Sequence, residues 1–239
     1  WKNREITGEW YFEHLRETAN ILIGSWISKN VSIYQIVVAL LHDVIEDTNM
    51  TFDWLVQWLS NSISTKLARK IATWVQWLTK PDWHNYIISP QDKDFIKWYE
   101  GWNDVQWEDR GLIEDQEILG KHIERYKKIK ADAKEPRDRE YYLQLEWLDD
   151  STLEVKFADR LHNLRTQWDP NDKAQVIKKV KETKNFYLPL AQKRNTTAYN
   201  LLKKEVKKLE KQLWCSVETN TRIEVTKDWI ERIINPGEF

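Results

Sequence analysis

A histidine and three carboxylates lie within six residues of one another in the stretch LLHDVIEDT, residues 40–48. The run before them, IYQIVVALL, is apolar, so these polar side chains follow a segment typical of a protein core. On a helix Asp43 neighbours Glu46 and Asp47, and ionised carboxylates this close repel one another. Burying these carboxylates costs still more free energy unless a positive charge lies among them. A divalent cation would supply that charge.

Matching ligands occur elsewhere in the chain. His14 lies in an early helical segment, and Asp159 lies on the polar side of a later one. Together with the His-Asp pair of LLHDVIEDT they would form a shell of two nitrogens and two oxygens, which suits manganese, iron or zinc better than calcium. Glu46 and Asp47 would then stand at the edge of the metal, where a general base or a water-positioning carboxylate belongs. From spacing alone, solvated surface carboxylates near a helix end are an equal alternative.

The elements that must position these residues are helices. Apolar residues recur at helical spacing and strand-like alternation is scarce, so the sequence predicts an all-α fold. Helices are expected over 14–25, 33–47 (capped by Ser32), 52–59 (capped by Thr51), 64–78, 151–166 and, as two segments, 174–213. In the first of them, the expected buried stripe consists of Leu15, Ala19, Leu22 and Ile23.

The helix expected at 151–166 has the clearest pattern. Ser151 and Glu154 predict a capping box at its start. Its predicted buried stripe consists of Leu153, Phe157, Leu161 and Leu164. A second face, with residues three and four apart, carries Lys156, Asp159, Asn163 and Thr166.

One domain is expected over 1–213, interrupted by an insertion at about 81–138. That insertion is rich in Asp, Glu, Lys and Trp, and its weak periodicity predicts one or two helices. Residues 214–239 are expected to form a tail with one short helix.

Composition narrows the class of protein. The net charge of −1 argues against non-specific electrostatic binding to nucleic acid or to an anionic membrane. The single cysteine, Cys215, excludes an internal disulfide framework and suits a reducing cytoplasm. No apolar run approaches the ~20 residues that span a bilayer, and no signal peptide is recognisable. A cytoplasmic protein is therefore expected, and its oligomeric state is left open.

The chain has 15 Trp and only 6 Gly. Average usage would give a chain of this length about 17 Gly. Several Trp lie in turn-like contexts where Gly is usual, namely Trp26, Trp102, Trp147 and Trp168. Some bacterial lineages decode UGA as glycine, so one hypothesis is that many of these Trp are Gly in the natural protein. The alternative is a genuinely Trp-rich chain that uses indoles for stacking or packing.

HDVIEDT resembles the histidine–aspartate (HD) motif of metal-dependent HD phosphohydrolases, and more narrowly the hydrolase domain of the Rel–Spo family, which degrades the alarmones ppGpp and pppGpp. Four further segments resemble that domain in the family's order: REITGEWYFEHL (4–15), WVQWLTK (74–80), VKFADRLHNLRT (155–166) and VKETKNFYLPLAQK (180–193). The resemblance covers roughly 2–80 and 139–205. At Trp77 the family has Gly, where an indole is expected to overpack.

The resemblance implies an HD-domain helical bundle that removes the 3′-pyrophosphate of ppGpp with Mn²⁺ or another divalent metal. The implied metal ligands are His14, His42, Asp43 and Asp159. The implied catalytic pair is Glu46 and Asp47. The implied nucleotide contacts are Arg4, Thr7, Tyr11, Asn163, Arg165 and Thr166. His162 is expected to pack or hydrogen-bond behind the site.

The chain departs from the family in three respects. Leu15 stands where the family usually has Pro, the segment between Lys80 and Val155 is longer than usual, and the 239 residues include no synthetase-like segment. A stand-alone hydrolase of the small-alarmone-hydrolase type is one expectation from the last point. Two alternatives stay open: an HD phosphohydrolase for another nucleotide, and a non-catalytic alarmone-binding module whose insertion contacts a partner.

Overall fold

A computed structural model describes residues 11–25, 27–103, 116–166, 169 and 171–218. Every regular element within these ranges is helical, which confirms the all-α class. None of the described helices is both long and apolar enough to cross a membrane.

The helices fall into two compact units. The described residues up to Thr79 and from Leu148 onward form the first unit, and those from Lys80 to Trp147 form the second. The first contains α1 (Tyr11–Gly24), α2 (Ile33–Leu41), α3 (Val44–Asp47), α4 (Phe52–Ser60), α5 (Thr65–Leu78), α8 (Asp150–Thr166), α9 (Lys173–Glu182), α10 (Leu188–Arg194) and α11 (Thr196–Glu218). The second contains a 3₁₀ turn (Trp83–Tyr86), α6 (Pro90–Asn103) and α7 (Gln116–Glu146). The insertion expected at 81–138 falls inside this second unit.

Several helix starts follow from capping residues. Ser32 caps α2 and forms a capping box with Gln35, and the Thr51 hydroxyl accepts the Trp54 N–H at the start of α4. The capping box predicted at Ser151 is wrong. Asp149 caps α8 instead, because its carboxylate accepts the Thr152 N–H at 3.0 Å, and Ser151 lies inside the helix.

The single helix predicted over 33–47 is also wrong, because the chain breaks between α2 and α3. Asp43 has φ −103° and ψ 0°, which lies in the sparsely populated bridge region rather than in the helical one. Consecutive side chains of an unbroken helix point about 100° apart around its axis. The break therefore allows His42 and Asp43 to turn toward one another.

α8 is the central helix of the first unit. It contacts α1, α2, α5 and α11 and is buried on nearly all sides. Its predicted stripe of Leu153, Phe157, Leu161 and Leu164 is buried, and so are several of its polar side chains. In α1 the prediction is wrong at Ile23, which is 54 % exposed, whereas Ile21 and Thr18 are buried.

The second unit has its own core of Trp83, Ile87, Phe95, Ile96, Tyr99, Ile129 and Ala133. A polar chain lies beside this core: His84 contacts Asp82 and Glu100, and Glu100 accepts the Tyr126 hydroxyl at 3.0 Å. These bonds join the 3₁₀ turn, α6 and α7 within the unit.

In the C-terminal part of the first unit, helical structure continues with fewer interruptions than expected. A π-helical turn, Thr183–Tyr187, links α9 to α10. Asn195 follows, and its side chain caps α11 by accepting the Ala198 N–H at 2.9 Å. α11 extends into the expected tail as far as Glu218, and the short tail helix predicted beyond it lies outside the described residues.

Candidate metal centre

Three separate parts of the first unit bring the four predicted ligands together. His14 is on α1, His42 and Asp43 are at the break between α2 and α3, and Asp159 is on α8. Both histidines and Asp159 are buried, and Asp43 is partly buried. The cluster of His14, His42 and Asp43 has the spacing of a metal-binding group. Asp159 lies beside it, with Oδ1 within 3.6 Å of both histidine Nε2 atoms.

The two Nε2 atoms face the two carboxylate oxygens at short range. His14 Nε2 is 3.5 Å from Asp43 Oδ2 and 3.3 Å from Asp159 Oδ1. His42 Nε2 is 3.1 Å and 3.6 Å from the same two oxygens. Because nitrogen and oxygen ligands lie about 2.0–2.2 Å from an ion such as zinc, two ligands of one ion are about 3.0–3.5 Å apart. Three of the four observed distances fall in this range, and the fourth, 3.6 Å, lies just above it.

His42 shows why a positive charge belongs here. Its Nδ1–H donates to the Ala39 carbonyl at 2.8 Å, which leaves Nε2 with a lone pair in the neutral ring. Within the described residues Nε2 is buried and makes no hydrogen bond. A lone pair facing two carboxylate oxygens is repelled unless a cation or a proton lies between them.

Without a metal, a proton takes that place. Burial alone would lower the pKa of His42, but the carboxylates of Asp43 and Asp159 outweigh burial and raise it to about 10. The pKa of Asp43 is held well below its usual range, chiefly by His42, although burial opposes this. The pocket therefore selects positive charge, and a metal ion bound there would displace the His42 proton.

Both carboxylate oxygens of Asp159 contact side chains of its own helix, α8. Lys156 Nζ lies 2.9 Å from Oδ2, and Asn163 Nδ2 donates to Oδ1 at 2.5 Å. Burial favours the neutral acid, but the charge of Lys156 and the hydrogen bonds from His14 and His42 lower the pKa of Asp159 well below its ordinary value. These contacts keep the carboxylate ionised and oriented toward the histidines.

His14 has a partner behind it, as expected for His162. The two Nδ1 atoms are 2.7 Å apart, and the ring centroids are 4.8 Å apart. Ligating histidines are commonly fixed through their second ring nitrogen in this way.

The predicted catalytic pair lies next to the ligands in the chain. Glu46 and Asp47 are in α3, within one helical turn after Asp43, and both are exposed. The Asp47 N–H donates to the Asp43 carbonyl at 2.9 Å, which closes this short turn. Their catalytic role stays a prediction.

The predicted nucleotide contacts are only partly described. Asn163 contacts Asp159, Arg165 Nε lies 3.5 Å from Glu205, and the Thr166 hydroxyl donates to the His162 carbonyl at 3.0 Å. Arg4 and Thr7 lie outside the described residues. Tyr11 begins α1, and its side chain also lies outside them.

Two features of the site were missed in the sequence. No role was assigned to Lys156, although its position three residues before Asp159 on a helix was a usable signal. Arg160 is buried, donates to Glu182 at 2.5 Å and lies over the Tyr187 ring at 4.2 Å. No local spacing indicates these contacts, because Arg160 on α8 meets Glu182 at the end of α9 and Tyr187 in the π-helical turn only in the folded chain.

Two tryptophans that the structure describes bear on the hypothesis that many Trp are Gly in the natural protein. Trp77 lies on α5 and is 41 % exposed, so the overpacking expected there is not observed. Trp147 is 89 % exposed and directly follows α7, at a position where helices often have Gly. Trp26 and Trp168 lie outside the described residues, as does the side chain of Trp102.

No family model, curated protein or solved structure matches this chain. The chemistry of the four converging side chains is therefore the basis for assigning a function.

Proposed function

We propose that this protein is a metal-dependent phosphohydrolase whose divalent cation is held by His14, His42, Asp43 and Asp159. The convergence of two imidazole nitrogens and two carboxylate oxygens, with His42 Nε2 buried and lacking a hydrogen bond, supports this proposal. A cation in this place supplies Lewis acidity, which polarises a phosphoryl oxygen and lowers the pKa of water. Manganese suits these donors because they include both imidazole and carboxylate and no thiolate.

Glu46 and Asp47 serve the attacking water. Both are solvent-exposed and lie within one turn of Asp43, so water and substrate can reach them. We assign them to orient that water and to accept its proton. The water oxygen bonds to phosphorus while the bond from phosphorus to the leaving oxygen breaks, and the leaving oxygen gains a proton.

The substrate proposed is guanosine 3′,5′-bis(diphosphate), with GDP and pyrophosphate as products. Support for this choice comes from the Rel–Spo resemblance of HDVIEDT and VKFADRLHNLRT. Arg165 is exposed at the end of α8, so a phosphate could bind its guanidinium in place of Glu205. Asn163 and Thr166, near it on the same helix, are assigned to the nucleotide as well.

The test is incubation of the purified chain with ppGpp and Mn²⁺, followed by measurement of GDP and pyrophosphate. Asp47→Ala should keep its Mn²⁺ affinity and lose about 10²–10⁴-fold in turnover, the usual contribution of a general base. Asp53→Ala is a matched control, because Asp53 is an exposed aspartate in the first turn of α4. It should keep near-full turnover. Near-full turnover by the Asp47 variant would refute its assigned role.

The two alternative functions predict different results. A phosphohydrolase for another nucleotide would leave ppGpp intact and turn over another member of a panel of phosphorylated nucleotides. A non-catalytic alarmone-binding module would bind ppGpp in calorimetry and release no pyrophosphate with Mn²⁺.

A further inference from the structure

His162 lies outside the proposed ligand set but contacts one of its members directly. Its Nδ1 is 2.7 Å from His14 Nδ1, and both side chains are buried. A contact this short between two ring nitrogens requires one proton, which one ring donates and the other accepts. The tautomer of His14 therefore depends on the tautomer of His162.

We infer that His162 is a positioning residue that holds His14 as its Nδ1–H tautomer when a cation is bound. The inference rests on the metal site of the proposed function. A ligating His14 must offer the Nε2 lone pair, so its proton has to be on Nδ1. His162 Nδ1 must then be the acceptor, which places the proton of a neutral His162 on Nε2.

The two ligand histidines differ in this respect. His42 donates Nδ1–H to the Ala39 carbonyl, which can only accept, so that contact always leaves the His42 Nε2 lone pair available in the neutral ring. His14 instead faces a ring that can donate or accept. In the reversed arrangement, His162 Nδ1–H donates to His14 Nδ1, and the His14 proton on Nε2 faces Asp159 Oδ1 at 3.3 Å.

The reversed arrangement suits a metal-free site, because the His14 Nε2–H then faces carboxylate oxygens. With a cation bound, the first arrangement is required. Loading the site therefore exchanges the tautomers of both rings, and His162 makes His14 an adjustable ligand while His42 stays fixed.

Variants of His162 separate this role from simple core packing. His162→Leu removes the acceptor, and Zn²⁺ affinity in a competition titration should fall by about 10–100-fold, as is typical when the partner of a ligand is lost. His162→Asn places a carbonyl oxygen close to the former Nδ1 and should restore affinity to within a few-fold of the wild type. Leu164→Ala is the matched control, since Leu164 is buried on the same helix. It should lower stability and leave Zn²⁺ affinity unchanged.

Nitrogen-15 NMR of the histidine rings gives a second measurement, with diamagnetic Zn²⁺ as the probe. In the Zn²⁺-loaded protein, His14 Nδ1 should carry a proton and His162 Nδ1 should not. A protonated His162 Nδ1 in the loaded protein, or wild-type affinity in His162→Leu, would overturn the inference.

Neither measurement uses a nucleotide, so the two proposals can fail separately. A chain that shows these tautomers and affinities but hydrolyses no ppGpp would support the inference and refute the proposed substrate. If the wild type, His162→Leu and His162→Asn all bind Zn²⁺ with the same affinity, only the inference is overturned. A wild-type chain that binds no divalent metal would overturn both.

Discussion

Replacing Lys156 by methionine removes a buried positive charge beside a proposed metal ligand. The ammonium lies 2.9 Å from Asp159 Oδ2, and the two side chains are only 7 % and 6 % exposed. Methionine keeps most of the side-chain volume, so the change tests the charge more than the packing.

The expected loss of stability follows from the burial of the pair. Removing one partner of a buried ion pair costs about 3–5 kcal/mol, because the remaining charge is left without compensation. We expect the lower end, about 3 kcal/mol, since the protonated His42 also faces Asp159 in the metal-free protein. Metal affinity should not fall, because the site becomes more negative by one charge.

The assay is urea denaturation of the metal-free protein, followed by calorimetric titration with Mn²⁺. Lys208→Met is a matched control. Lys208 also pairs with a carboxylate three residues away, Glu205, but at 3.8 Å and with 60 % of its side chain exposed. Such a surface pair contributes less than about 1 kcal/mol.

Two results would contradict this account. If Lys156→Met costs no more than Lys208→Met, the charge of Asp159 does not depend on a buried ion pair. If Lys156→Met weakens Mn²⁺ binding tenfold or more, Lys156 serves mainly to orient Asp159 rather than to balance its charge.

Two further predictions concern pH and helix capping. The metal-free protein should lose stability as pH rises from about 6.5, the pKa of an unfolded His, to about 10, because folded His42 keeps a proton that the unfolded chain has released. Denaturation across that pH range measures this slope, and His42→Gln should flatten it; an unchanged slope would assign it to another group. Asn195→Ala should cost about 1–2 kcal/mol, because it removes the cap of α11 and a 2.6 Å bond to the Ile27 carbonyl. A loss below 0.5 kcal/mol in thermal unfolding would contradict that estimate.

The sequence predicts the helices best where local chemistry decides them. The starts of α2 and α4 were predicted from Ser32 and Thr51, because a side-chain oxygen that accepts an early helical N–H is a local feature. The buried stripe of α8 was predicted from its period for the same reason.

Features that depend on distant contacts were not predicted. The break at Asp43 interrupts a pattern that is locally helical. Its bridge conformation accompanies contacts of Asp43 with His14 on α1 and of His42 with Asp159 on α8. Ile23 fits the apolar period of α1 but lies beyond the surface that other helices cover. Spacing and resemblance predicted the four proposed ligands. The ion pair between Lys156 and Asp159 was found only in the structure.

The order of the proposed ligands along the chain has a consequence for entropy. The second unit, 80–147, lies in sequence between Asp43 and Asp159, so an ion bound by both would act as a cross-link across a long loop. The entropy of closing a flexible loop grows only logarithmically, by about 0.6 kcal/mol for each doubling of length. A whole folded unit can therefore occupy this point in the chain while adding little to the free energy needed to assemble the centre. Because the four side chains converge only in the folded chain, a bound ion would oppose unfolding by preferential binding to the folded state.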